Sequence, residues 1–203
     1  VLTVVKLGGG LGRGAGDDAL RAMCATLGDL GARHPLLVVP GGASFADAVR
    51  DADRRFGLPA DASHHMAVLG MEQFGWLLSE LIPGAARSTD PARTAAGATT
   101  VLLPAALSLE GLPRSWQVTS DSIAAWVAVR AGAGRLVLVK EVDGLFSDWP
   151  PHGEPIAHLT VAGLATLRPG GVDGYLPTVL ENATFETWVI SGRDPLRLTA
   201  LLD

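Results

Sequence analysis

Residues 1–16 read VLTVVKLGGGLGRGAG. An apolar stretch of strand length, Leu2–Leu7, carries one lysine, Lys6, and runs directly into glycines between Gly8 and Gly16. Glycine is costly to order, so a cluster of it after a strand marks backbone that must approach something closely. A lysine at that edge makes the something anionic. A plain strand-to-helix turn needs only one or two glycines, and a surface lysine snorkels from a polar rim rather than from inside an apolar run.

Working outward, the alternation of short apolar runs with helix-length stretches continues to the end of the chain. PLLVVP (Pro35–Pro40), TTVLLP (Thr99–Pro104), RLVLVK (Arg135–Lys140) and TWVI (Thr187–Ile190) read as strands. Helices are predicted over Asp17–Leu30, Phe45–Phe56, Ala62–Leu81, Ser120–Ala131, Val161–Leu167, Tyr175–Ala183 and Pro195–Leu202. Strands apolar on both faces and separated by helices mean an α/β fold with a mainly parallel central sheet covered on both sides, an αβα sandwich. No internal repeat or long linker divides the chain, so residues 1–203 are expected to form a single domain.

Composition narrows the function. Hydrophobic residues make up 48% and charged residues 18% of the 203, as in a globular protein. A net charge of −5 with no basic tract argues against nucleic acid as a partner. The apolar runs are too short and too broken by Gly and Pro to span a bilayer. A single cysteine, Cys24, fits a reducing compartment, and a cytoplasmic protein is expected.

In open parallel sheets ligands bind beyond the carboxyl ends of the strands. The first strand ends in Lys6, Gly8, Gly9 and Gly10; the second in Gly41, Gly42 and Ser44; a later one in Lys140, Asp143 and Gly144. Glycine turns beside lysines suit a polyanion, because exposed peptide N–H groups hold phosphate oxygens and the lysine adds full charge. Gly10, Gly12 and Ala15 also satisfy a G-x-G-x-x-A dinucleotide pattern, which keeps a nicotinamide-dependent oxidoreductase as an alternative. That pattern wants an acid closing the second strand, where Pro40-Gly41-Gly42 stands. No Gly-Lys-Ser/Thr follows the glycines to make a P-loop. Gly42–Ala46 lacks the last glycine of a nucleophile elbow. Adjacent His64 and His65 point about 100° apart on a helix and do not form a zinc pair.

VVKLGGG (4–10), VVPGGASFADAVR (38–50), TSDSIAAWVA (119–128), LVKEVDGLF (138–146) and GGVDGYLPTVL (170–180) occur in the order seen in the amino acid kinase family. The chain resembles that family over nearly its whole length. The later motifs and the short length look most like its aminomethylfuranmethyl phosphate kinases. The resemblance implies an ATP- and Mg²⁺-dependent kinase that phosphorylates a small acceptor, a phosphate monoester used in making a methanofuran-type cofactor, and that assembles as a dimer or larger.

It also implies roles. Lys6 would stabilise the transferred phosphoryl and Asp121 would orient Lys6, although Thr-Ser-Asp before an apolar helix equally reads as an N-terminal cap. Gly8, Gly9, Gly10 and Arg13 would bind phosphate. Gly41, Gly42, Ser44, His64, His65 and Asp173 would line the acceptor side, Ser44 doubling as a helix cap and Asp173 facing a substrate amine or Mg²⁺. Lys140, Asp143, Gly144, Phe146 and Thr178 would serve the nucleotide. Thr178 stands where acetylglutamate kinase-like members carry a second catalytic lysine. Either Lys140 or Arg13 replaces it, or Mg²⁺ does more, or the chain is an ATP- and oxyanion-binding storage protein like the molybdenum storage relatives.

Overall fold

The computed structural model describes residues 1–12, 17–142, 144–148, 152–168 and 170–203. Its sheet has six strands: β1 (Thr3–Leu7), β2 (Leu36–Pro40), β3 (Ala86–Ser88), β4 (Thr100–Leu102), β5 (Arg135–Lys140) and β6 (Glu186–Ser191). Their order is β3-β4-β2-β1-β5-β6, and every pairing is parallel. The helices are α1 (Asp17–Gly31), α2 (Ala43–Phe56), α3 (Ala60–Leu81), α4 (Ser120–Arg130), α5 (Val161–Leu167), α6 (Leu176–Leu180) and α7 (Leu196–Leu202).

Strand parity builds the layers, because alternate side chains point to opposite faces. Val4, Leu37, Val39, Leu136 and Leu138 face one side and pack on Ile123, Ala124, Val127 and Ala128 of α4, with Leu164 of α5 and Leu180 of α6 behind them. Val5, Leu7, Leu36, Val38, Val137 and Val139 face the other and pack on Leu20, Met23, Cys24 and Leu27 of α1, with Leu198 of α7. Helix α3 serves both cores: Val68 and Met71 join the first, Phe74 and Leu78 the second. The expected mainly parallel sheet between two helical layers is therefore present. Cys24 is fully buried, and burial pushes its thiol up to about 12 despite the charge of Arg21.

Some elements depart from expectation. Helix α2 begins at Ala43 rather than Phe45, capped by Gly42, and Ala43 adopts φ +44°, a left-handed conformation that costs a non-glycine residue about 1–2 kcal/mol. Helix α6 is a short turn with Pro177 in its first positions. Strand β3, Ala-Arg-Ser, is an edge strand that lacks an apolar run and is held by its pairing to β4. Among the described residues no helix is long and apolar enough to cross a membrane.

The topology fixes where a ligand goes. From β1 the chain moves to β2, β3 and β4 on one side, then crosses to β5 and β6 on the other. The crevice at such a reversal, beyond the strand carboxyl ends, is the natural binding place.

Candidate active site

Lys6 and Lys140 share a parity with the residues that face α4. Lys6 stands level with Leu138 in the register of β1 with β5, and Lys140 lies two residues further along β5. Both side chains therefore leave the same face of neighbouring strands. They converge on Asp121, the second residue of α4. Lys6 Nζ lies 2.9 Å from Asp121 Oδ1, and Lys140 Nζ donates to both carboxylate oxygens at 2.7 and 2.6 Å. The side chains of Lys6, Asp121 and Lys140 are 5%, 4% and 13% exposed, so water screens this triad little. These are the only two lysines in the sequence.

The electrostatics follow. Burial pushes the Asp121 carboxyl up, but the two ammonium groups outweigh it and hold the group at about 2. Burial and the charge of Lys6 bring Lys140 down to about 8, against the pull of Asp121. Two cations and one anion leave the triad with one surplus positive charge. A carboxylate held so far below neutral pH is a poor general base.

The triad forms the floor of a cavity of about 520 Å³. One wall comes from α2, α3 and the segment before α4: Gly42, Ala43, Arg50, His64, Met71 and Trp116. The other comes from the ends of β5 and β6, Glu141, Val142 and Arg193, and from Gly171 in the loop between α5 and α6. Arg50 lies over the Trp116 ring, 5.1 Å from its centroid, and is ion-paired with Asp47 at 2.9 Å. Trp116 Nε1 donates to Asp53 Oδ2 at 2.6 Å. His64 is buried, and burial, followed by the charge of Arg114, lowers its pKa; it is neutral at neutral pH.

The glycine turns interlock. A Cβ at Gly9 would strike the backbone of Ala43, one at Gly10 the carboxylate of Glu141, and one at Gly41 would lie 2.7 Å from the Gly9 nitrogen. At Gly9 and Gly41, where the neighbour is backbone, only glycine lets the strand ends come so close. Gly8, Gly9, Gly10 and Gly42 line the cavity. The Gly8 amide, however, donates to Val139 O and the Gly41 amide to Leu7 O, both at 2.9 Å. Those two extend the sheet instead of facing a ligand. Gly9 and Gly10 open a 3-10 turn, whose first amides lack intrahelical acceptors.

Other expected residues fall elsewhere. Ser44 is exposed one position inside α2, where Gly42 is the cap, and His65 is exposed beside a smaller recess. Gly144 and Phe146 belong to the loop after β5, where Phe146 bridges to Gly170, and neither lines the main cavity. Thr178 is exposed on α6, so its position supplies no cation to the triad. Arg13 and Asp143 lie outside the described residues. Asp173 departs most from expectation: its carboxylate accepts from Thr119, Ser122, Tyr175 and Leu176, which leaves it a cap rather than a contact for a substrate amine.

Sequence reasoning missed Arg50, Trp116, Glu141 and Arg193 as cavity residues, and missed that Lys140 reaches Asp121. One signal for the last was present: a chain with two lysines places both at the ends of inner strands.

The amino acid kinase family matches residues 1–184 of this chain. The chain is 25% identical over 178 residues to [5-(aminomethyl)furan-3-yl]methyl phosphate kinase of Methanocaldococcus jannaschii, covering 83% of this chain and 79% of that one. It is 44% identical over 62 residues to acetylglutamate kinase of Acidothermus cellulolyticus, covering 30% and 21%. Among solved structures, uridylate kinase of Archaeoglobus fulgidus superposes with a TM-score of 0.74 at 20% identity, covering 98% of this chain and 94% of that one.

Proposed function

The chain belongs to the amino acid kinase family, and from that premise we propose that it moves the γ-phosphoryl group of ATP onto a small phosphate monoester, giving a diphosphate. The observation that carries this reading is Asp121 clasped between Lys6 and Lys140 at the reversal of the sheet, beside glycine turns. An oxygen of the acceptor phosphate bonds to the γ-phosphorus, the bond from that phosphorus to the bridging oxygen breaks, and ADP leaves. The transition state is loose, so stabilisation comes from placed charge more than from covalent help. A unit charge at 4 Å is worth about 4 kcal/mol at an effective dielectric near 20.

The acceptor class follows from the missing base. Asp121, at about 2, does not take a proton from an alcohol at neutral pH. A phosphate monoester arrives already ionised, since its second pKa is about 6. The aminomethylfuranmethyl phosphate named for the archaeal relative is such an acceptor. Arg50 and neutral His64 line the α2–α3 wall where its phosphate would sit, and Lys140 and Arg193 line the nucleotide wall.

Mg²⁺ usually binds through one or two carboxylates plus substrate phosphates. The residues fit that mode. Glu141 is the carboxylate on the nucleotide wall, and among the described residues no group of three ligating side chains is gathered. Bound there, the ion would neutralise charge on the β- and γ-phosphate oxygens. The kinase reading is favoured over the storage-protein one by Lys140, whose ammonium beside Asp121 would stand in for the one that Thr178 lacks. The chain is also proposed to self-associate, through the exposed Met66, Leu69, Trp76 and Leu77 on one stripe of α3.

The test is ADP release with ATP, Mg²⁺ and aminomethylfuranmethyl phosphate, with and without each component. Lys6→Ala should lower kcat by about 10²–10³, the usual loss for one preorganised charge. Turnover by Lys6→Ala at the parent rate, or ATP binding with no acceptor-dependent ADP from any phosphate monoester, would overturn the reading.

A further inference from the structure

Asp121 occupies a place where an acid ordinarily does something else. It is the second residue of α4, and a carboxylate in a first turn is drawn to the unpaired helix amides. In this structure it makes no such bond, and both its oxygens face lysines. The N-cap residue, Thr119, offers α4 no side-chain acceptor either. The Ser122 amide and the N-cap residue itself are held from outside the helix. Asp173 Oδ2 accepts from Thr119 N at 2.9 Å, Thr119 Oγ1 at 2.8 Å and Ser122 N at 3.0 Å. Asp173 Oδ1 accepts from the Ser122 hydroxyl, from Tyr175 N at 3.2 Å and from Leu176 N at 3.0 Å.

We propose that Asp173 is a positioning residue for phosphoryl transfer: by capping α4 from a separate loop, it frees Asp121 to bridge Lys6 and Lys140. One carboxylate holds Thr119 and Ser122 at the start of α4, and a second, 52 residues earlier, is left for chemistry. The same oxygen that holds Ser122 also holds the first turn of α6, so the loop beside Gly171 on the nucleotide wall is tied to the helix that carries Asp121. Without that cap, Asp121 competes for its own helix amides and leaves two buried ammonium groups facing each other. The proposal rests on the kinase reading only for what the triad is used for.

The test reads the triad directly. With two lysines in the chain, lysine-selective isotope labelling gives two side-chain amine signals, and that of Lys140 is followed against pH. The other titratable or charged groups lining its cavity are Lys6, Asp121, Glu141, Arg193, Arg50 and His64, all unchanged in the variants. Asp173→Asn should lower the Lys140 midpoint by about one pH unit. Removing the Asp173 charge acts in the same direction, so Ser122→Ala is the deciding variant. It keeps every charge, removes one cap contact, and should lower the midpoint by a smaller amount. Thr160→Ala, which removes the cap of α5, should leave the midpoint where it is. In turnover, Asp173→Asn should lose about tenfold in kcat with less change in KM for ATP. A Lys140 midpoint that stays put in Ser122→Ala overturns the proposal, whether or not Asp173→Asn folds; so does one that moves equally in Thr160→Ala. The titration needs no substrate, so an enzyme inactive on phosphate monoesters would sink the functional reading and leave this one to be judged separately.

Discussion

Lys140 binds both oxygens of Asp121 and sits at about 8, lowered first by burial and then by Lys6. Its charge is present at neutral pH and disappears as pH rises through that value. Turnover should therefore fall on the alkaline side with a midpoint near 8. Lys140→Arg keeps the charge to far higher pH and should flatten that limb. Stability should move the other way. Above about 8 the folded protein has released a proton that the unfolded chain holds up to about 10.4, so the folded state gains as pH rises through this window. Melting temperature and kcat/KM measured together from pH 7 to 10 check the pair; parallel decline would mean that Lys140 is not the titrating group. Asp121 has the same sign in a lower window, with stability again rising with pH. Its depressed pKa adds stability above the ordinary carboxylate range, and that contribution is lost as pH falls toward about 2.

At the level of elements, the irregular stretch between β4 and α4 lines the cavity beside α2 and α3. It is pinned by Trp116 to Asp53, by an Arg114–Asp61 ion pair, and by Glu72 accepting from Ala105 N at 2.7 Å. Trp116→Phe keeps a ring beneath Arg50 and removes the bond to Asp53. It should raise KM for the acceptor roughly tenfold with kcat nearly unchanged, as expected for a lost hydrogen bond to a charged group that does not act in the transition state. Separate kcat and KM values decide it; a fall in kcat at constant KM would place Trp116 in the chemistry. Elements of this kind were hard to read in advance, and the reason is physical. β1, β2 and β5 were legible because strands buried on both faces are apolar throughout. β3 was not, because an edge strand held by backbone pairing needs no apolar pattern. Lys6 stood out as a lysine within an apolar strand before glycines, and its pairing with Asp121 was expected from a family resemblance. The approach of Lys140 to Asp121 depends on register and parity across β1 and β5, which a spacing of residues along the chain does not display. Asp173 carried the wrong expectation because its partners in α4 lie more than 50 residues away in sequence.

Across the whole molecule, a chain of net charge −5 keeps its only two lysines in one buried cavity and leaves its other fixed cations as arginines. Its exposed apolar stripe lies away from the cavity, on the outer face of α3, where Arg87 covers the Trp76 ring at 4.5 Å. Trp76→Glu should shift the sedimentation coefficient toward that of a monomer of 21.0 kDa, with the Lys140 titration unchanged. A parent protein that already sediments as a monomer would refute the self-association. The lone sulfhydryl has a use that its burial creates. Cys24 sits between α1 and the sheet, out of reach of water and with almost no thiolate at neutral pH. An alkylating reagent meets it only when that half of the molecule opens. Its labelling rate is thus a clock for opening, and nucleotide that fastens the strand ends together should make the clock run slow.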